Sequence, residues 1–475
     1  MRTIAINNKI IRAGSMSLLA TVITRAVNLI SVPIFSRLLT TEEYGRVDVF
    51  MTYMNVFVIV SGLDFHGAVG KGRLDYKEDA DGYVTSSVLF TTINVVCIAV
   101  IINVLYSILG AVIGMEQYLF NIMLLYSYAI FLMTYRSAEY NFYFEYKNNL
   151  LMSVSVALGN LLLSVLFIKT FFSGSRMLGR VLGATIPTAV CAVIIWFYYG
   201  NRGKWSFRWE YIKYSLKFGV PLIPHNLSHI VLAGSDKIMI QNMIGASESG
   251  IYSLSYTLGM MIQVLSEAMN QVFGPWLFRK MDQNEYNTVT VAQKGYLLMY
   301  SFVTVIVLTV SPEIVKIIGS KEYWDGTAII MWVVFATFLS FTYTLYVNLE
   351  FYEKRTELIS AGTLSAAVIN VLLNFLFLSK FGYRFAAYST VISYITLLFF
   401  HFFIVNYLLK IKIVDNYFVM LDVIIVFGVT LIMYYTRDII GLRLVAGVLA
   451  DAFLLAWFSK WYKKNRNVMQ DIERL

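Results

Sequence analysis

Two histidines, three carboxylates and an ammonium group crowd into one otherwise apolar stretch, FGVPLIPHNLSHIVLAGSDKIMIQNMIGASESGIYSLSYTLGMMIQVLSEAMNQVFGP (218–275). His225 and His229 have the i, i+4 spacing that can grip zinc. No HExxH glutamate lies between them and no third ligand is evident, so no metal centre is expected. A proton-sensitive role near neutral pH and plain hydrogen-bonded packing are the two readings open for the pair. Asp236 and Lys237 are neighbours, about 100° apart on a helix, so they cannot satisfy each other face to face. Each needs another partner, in protein or ligand. Glu267 and Asn270 share one helical face with Gln263 and Ser266. An ionisable group at membrane depth costs roughly 2.5–3.5 kcal/mol on insertion scales, so several together suggest a lined path. Asp236, Glu267, His225 and His229 are the candidates for coupling such a path to a Na+ or H+ gradient. Lys237 and Asn270 are candidates for contact with the cargo.

A second polar stripe runs nearer the start. Ser17, Thr21, Thr24, Asn28 and Ser31 recur at steps of four, three, four and three, with Arg25 beside them. Hydroxyls and amides of this kind also glue helices together, at about 0.6 kcal/mol per bond; Asn370 and Asn374, one turn apart, read that way. Arg25 is either a binding residue lining a cavity or half of an ion pair with Glu267 or Asp64.

Membrane-spanning segments must position these groups. The 475 residues are 58% hydrophobic and only 14% charged, which fits a polytopic membrane protein rather than a soluble domain. Runs long enough to span fall near 13–39, 47–65, 83–108, 119–136, 149–171, 178–200, 212–241, 249–276, 292–313, 325–350, 356–379, 383–407, 414–436 and 438–461. The basic residues fix an orientation: 25 of the 38 Lys and Arg fall in the segments that are inner if the N-terminus is inner. Both termini are therefore expected in the cytoplasm. The net charge of +9 reflects those loops, not a nucleic-acid partner. Pro33, Pro187, Pro221 and Pro224 are expected to bend their helices, with Pro221 and Pro224 breaking the seventh. The aromatic cluster YNFYFEYK (140–147) reads as an interfacial belt. Cys97 and Cys191 sit in apolar runs and imply no disulfide framework.

Sliding the chain by 205 residues lays RLLTTEEYGRVDVFMTY (37–53) on NMIGASESGIYSLSYTL (242–258), matching Glu43 with Glu248, Gly45 with Gly250 and Thr52 with Thr257. The same shift carries spans one to six onto seven to twelve. The expected architecture is all-α, about fourteen transmembrane helices, with two six-helix lobes at 1–205 and 206–410 related by a pseudo-twofold along the membrane normal. Two C-terminal helices and a tail follow at 411–475. The stripes of spans one, seven and eight could then line one cavity between the lobes.

No GxxxxGK[ST] occurs, no nucleophile–base constellation is evident, and no outer loop is long enough for a catalytic domain. Catalytic residues and cofactors are not expected, and a membrane-embedded glycan polymerase or ligase is the disfavoured alternative.

Three stretches, SRLLTTEEYG after the first span, SDKIMIQNMIGASESGIYSLSY across the seventh and eighth, and NVLLNFLFLSKFGYRFAAYSTVISY across the eleventh and twelfth, resemble the polysaccharide-repeat-unit flippases (Wzx type) of the multidrug/oligosaccharidyl-lipid/polysaccharide exporter superfamily. The resemblance implies two six-helix lobes in a V around a central cavity. It implies movement of polyprenyl-pyrophosphate-linked oligosaccharide to the outer leaflet of a bacterial inner membrane, for O-antigen or capsule synthesis, beside polymerase and chain-length machinery. It assigns Arg25 to the pyrophosphate and matches Asp236–Lys237 to an acidic–basic pair common in the family. Fourteen helices resemble capsule, teichuronic-type and lipid II flippases more than many O-antigen members. A cation-coupled multidrug antiporter of the same architecture is the alternative within transporters; it would need an acidic, aromatic cavity.

Overall fold

The computed structural model describes residues 27, 29–108 and 114–466, and every regular element among them is a helix. α1 (Leu29–Leu38) belongs to the first expected span. Each later span appears as one helix or as two joined by a short turn. In order these are α2 (Thr41–Gly62), α3 (Val69–Asp75), α4 (Ala80–Val104), α5 (Gln117–Phe142), α6 (Tyr146–Lys169), α7 (Arg176–Arg202), α8 (Trp209–Gly219) and α9 (Ile223–Met243). Then come α10 (Ala246–Gly259), α11 (Gln263–Asp282), α12 (Tyr286–Ile318), α13 (Thr327–Tyr352), α14 (Thr356–Phe381), α15 (Phe385–Phe403), α16 (Asn416–Tyr435) and α17 (Ile440–Lys464). Ten of the described helices are long and apolar enough to cross a membrane. The protein is an all-α polytopic membrane protein.

Local chemistry sets the helix starts. Thr40 caps α2: its Oγ1 accepts the Glu43 N–H at 3.2 Å, while the Glu43 carboxylate accepts the Thr40 N–H at 2.9 Å, a reciprocal capping box. The same glutamate recurs 205 residues on. At α10 the cap is Gly245, and Glu248 folds back until its carboxylate lies 2.4 Å from where a Cβ on that glycine would stand. α7 runs unbroken through Pro187.

The chain forms two compact units, 1–234 and 235–475. In the first, Phe35, Phe50, Met54, Phe120 and Met123 form one core, and Phe65, Tyr83, Phe131, Tyr135 and Tyr199 a second. In the second, α13 is the axis. The segment containing it is 83% buried over its most apolar window, against 17% for α17 and, in the first unit, 17% for α6. On α13, Phe341 stacks on Tyr300 at 3.9 Å and lies 4.8 Å from Tyr296, contacts worth about 0.5–1.5 kcal/mol each beyond area burial.

Candidate functional site

The seventh and eighth spans are both broken. Between α8 and α9 the chain makes a 3-10 turn, Val220–Leu222, at Pro221, while Pro224 sits in the first turn of α9, where its missing N–H costs nothing. Between α10 and α11 a second 3-10 turn, Met260–Ile262, contains no proline. A glycine precedes each break, and close packing demands it. A Cβ on Gly219 would lie 2.1 Å from the Leu63 carbonyl oxygen; one on Gly259 would lie 2.7 Å from Val333 Cγ1.

In the first unit, the break rests on the left-handed pair Leu63 and Asp64 (φ 50° and 53°) that ends α2. Asn226 Nδ2 donates to Asp64 Oδ2 at 2.9 Å, tying the start of α9 to that corner. His225 and His229 meet edge to face, ring centroids 4.9 Å apart; His229 is exposed and His225 half-buried.

In the second unit, Asp236 is 1% exposed and ringed by neutral donors. Tyr252 Oη (α10) donates to it at 2.6 Å, Thr390 Oγ1 (α15) at 2.7 Å and Asn374 Nδ2 (α14) at 2.5 Å. Around these, Ser389 Oγ donates to Asn374 Oδ1 at 2.7 Å and Ser235 Oγ to Asn370 Oδ1 at 3.2 Å. The two asparagines do join helices, and they also hold the one carboxylate at the centre. Lys237 points elsewhere, its Nζ 5.3 Å from the centre of the Tyr256 ring, as the angular offset requires.

Asn270 joins three helices: Tyr296 Oη, Thr344 Oγ1 and Asn348 Nδ2 all donate to its Oδ1, at 3.2, 3.4 and 3.4 Å. Glu267, one turn earlier, is exposed. The structure therefore brings Asp236 together with Asn370 and Asn374, and keeps it in a separate environment from Glu267. Arg25 and Asn28 lie outside the described residues.

Sequence reading missed several buried charges. Arg73 and Arg136 both pair with Glu139, and Tyr199 Oη donates to that carboxylate at 2.6 Å. Arg443 pairs with Glu313 and donates to the Thr309 carbonyl at 2.9 Å. His401 and Glu350 form a pair sealed from solvent. Arg180 packs over the Phe35 ring at 4.1 Å and donates to Ser164 Oγ at 3.0 Å. Only the i, i+3 spacing of Arg136 and Glu139 was available as a signal; the other partners are remote in sequence.

The whole fold is similar to that of the lipid II flippase MurJ in an inward closed conformation, with a TM-score of 0.70, 14% identity, and 94% of this chain and 99% of that one covered. It is also similar to an inward-facing MATE-family multidrug resistance transporter, with a TM-score of 0.63, 14% identity, and 83% and 99% covered. A Haemophilus influenzae protein of the Lsg locus is 22% identical over 379 residues, 76% of this chain and 90% of the relative. The model of one family, described as polysaccharide biosynthesis protein, matches residues 10–281, more than half of the chain. This membrane protein therefore belongs to the polysaccharide biosynthesis protein family.

Proposed function

We propose that the chain is a flippase that carries polyprenyl-pyrophosphate-linked oligosaccharide repeat units from the cytoplasmic to the outer leaflet of the inner membrane by alternating access. The observation that carries this reading is the family match joined to a flippase-like fold. The product serves a surface polysaccharide such as O-antigen or capsule, with polymerase and chain-length proteins downstream. The excess of Lys and Arg in alternate loops supports a cytoplasmic position for both termini. The organisation into lobes at 1–205 and 206–410, followed by 411–475, supplies the two moving parts.

In this reading Arg25, Asn28, Lys237 and Asn270 contact the cargo, and no covalent catalysis is involved. Asp236 couples the movement to a cation gradient. A carboxylate beside the hydroxyl oxygens of Tyr252 and Thr390 offers the hard donors that Na+ takes, and the same carboxylate can take a proton instead. Glu267, His225 and His229 are the other coupling candidates.

Depleting the chain and locating lipid-linked intermediates by leaflet tests the proposal. Repeat units accumulating in the cytoplasmic leaflet are expected. Normal export of polysaccharide, with drug efflux lost instead, would establish the multidrug antiporter that the likeness to the MATE transporter keeps as the second reading.

A further inference from the structure

At the end of the first unit where α5 finishes, α6 begins and α7 finishes, a cavity of about 280 Å³ is lined by Arg136, Glu139, Tyr140, Tyr143, Glu145, Tyr198 and Arg202. The Arg136 guanidinium lies 4.2 Å from the Tyr140 ring centre and 4.3 Å from that of Tyr198. Two rings in contact with it restrain its plane before any ligand arrives, and a fixed planar fork is suited to phosphate oxygens. Arg202 Nη1 donates to Tyr198 Oη at 2.5 Å, while its Nε and Nη2 meet Asp81 at 3.1 and 3.0 Å. Behind them Arg73 reaches both Asp81, at 3.2 Å, and Glu139. Three arginines thus share two carboxylates, one positive charge in excess at the floor of the cavity, which the rim carboxylate Glu145 offsets. Glu145 is exposed at the rim and accepts from Asn148 Nδ2 at 2.9 Å.

The surroundings place the cavity at head-group depth. Tyr143, Phe144, Phe197, Trp205, Phe207 and Trp209, close in sequence to the lining residues, are exposed aromatics of the kind that mark the membrane interface. Lys71, Lys147, Lys204 and Arg208 lie in the adjoining segments, so this is the end with the basic loops. Basic pockets between helices on that side are where anionic head groups bind.

We infer that this cavity binds a phosphate group, carried by an anionic membrane lipid or by a free phosphate ester, against Arg136 and Arg202, with tyrosine hydroxyls as further donors. The site is separate from the flippase reading and stands or falls independently of it.

The purified full-length protein, titrated with phosphatidylglycerol, phosphatidylethanolamine or glycerol 3-phosphate and followed by native mass spectrometry and thermal unfolding, tests this. Phosphatidylglycerol is expected to bind and raise Tm, and phosphatidylethanolamine to do neither. Arg202→Gln should weaken binding about tenfold, as for one lost charge-assisted bond. Glu145→Gln, which removes a negative charge from the rim, should tighten it. Arg208→Gln loses the same charge from a residue paired to Asp79 outside the cavity and should change nothing. Protection by glycerol 3-phosphate alone would keep the site and make its ligand a free ester. Equal binding of both lipids, equal losses in Arg202→Gln and Arg208→Gln, or no response to Glu145→Gln would overturn it.

Discussion

His401 Nδ1 lies 2.7 Å from Glu350 Oε1, and both side chains are fully buried. The far atoms, Glu350 Oε2 and His401 Nε2, have no hydrogen-bond partner among the described residues. The Tyr343 ring stacks on the imidazole at 5.6 Å, and a Cβ on Gly362 would come within 2.8 Å of Nε2. The pair links α13 to α15, out of reach of bulk solvent. Glu350→Ala should lower stability by about 3 kcal/mol, because it strands the histidine. Replacing both residues with apolar ones of similar volume should cost less than the single change. Thermal unfolding in one detergent, arranged as a double-mutant cycle, checks this; additive losses would refute it.

Asp236 separates coupling from packing. Asp236→Asn keeps the shape and most hydrogen bonds, so folded protein in the membrane should stay near normal while ion-dependent transport falls. Asp236→Leu takes the acceptor from the Tyr252 hydroxyl and should also cut the folded amount, at about 1–3 kcal/mol for an unsatisfied group. Transport assayed under imposed Na+ and pH gradients decides the matter. Unchanged ion dependence in Asp236→Asn would remove it as the coupling group.

For Arg25 the flippase reading specifies a graded series. A guanidinium can hold two pyrophosphate oxygens at once, whereas lysine keeps the charge and loses the fork. Arg25→Lys should retain partial flipping and Arg25→Ala lose most of it, with membrane abundance unchanged in both. Reduced abundance in Arg25→Ala would point to a structural ion pair instead.

The two glycines at the breaks should differ in severity. A methyl on Gly219 would lie 2.1 Å from a backbone carbonyl oxygen, whereas one on Gly259 would lie 2.7 and 2.9 Å from Val333 Cγ1 and Cβ, a smaller overlap that a slight parting of the two helices relieves. Gly219→Ala should therefore abolish most folded protein, and Gly259→Ala should cost about 1–3 kcal/mol, as overpacking does. Size-exclusion profiles of fluorescent fusions, followed by melting curves, measure both.

On the loop side, Asp75 accepts from Lys71 Nζ at 2.8 Å and from Tyr214 Oη at 2.7 Å. The Lys71 bond first, and the Tyr214 bond second, hold its carboxyl below the ordinary carboxylate range. A lowered pKa means that its contribution is complete above the unfolded value, near pH 4, and is lost as pH falls through the folded one. Between these values, Asp75→Asn should show a shallower acid loss of stability than the parent, with the two curves parallel from pH 6 to 8.

The break at Val220–Leu222 was legible because Pro221 announces it. The break at Met260–Ile262 was not, since no proline marks it and the residue that packs closest on Gly259, Val333, belongs to a helix far along the chain. Asn370 and Asn374 could be read as helix glue from their spacing, but the carboxylate they hold is 138 residues away from Asn374, and one sequence carries no sign of that pairing. Arg136 is one of the 25 basic residues whose distribution orients the chain. It is nonetheless buried in α5, because Glu139 and two tyrosine rings supply what water otherwise would. Hydropathy locates the spans; it does not say which neighbour will neutralise a charge near their ends.

The uneven burial of the helices bears on how the chain is made. α13 is surrounded by protein once folded, and α17 mostly is not, yet both carry the apolar composition of a crossing segment. The insertion machinery meets each segment before its neighbours are in place, and judges it by composition alone. A polar substitution on α13 that the finished packing would accommodate must therefore still pass that earlier judgement. Some sequences that would be stable as mature protein are closed to this chain because the ribosome's product could never enter the bilayer.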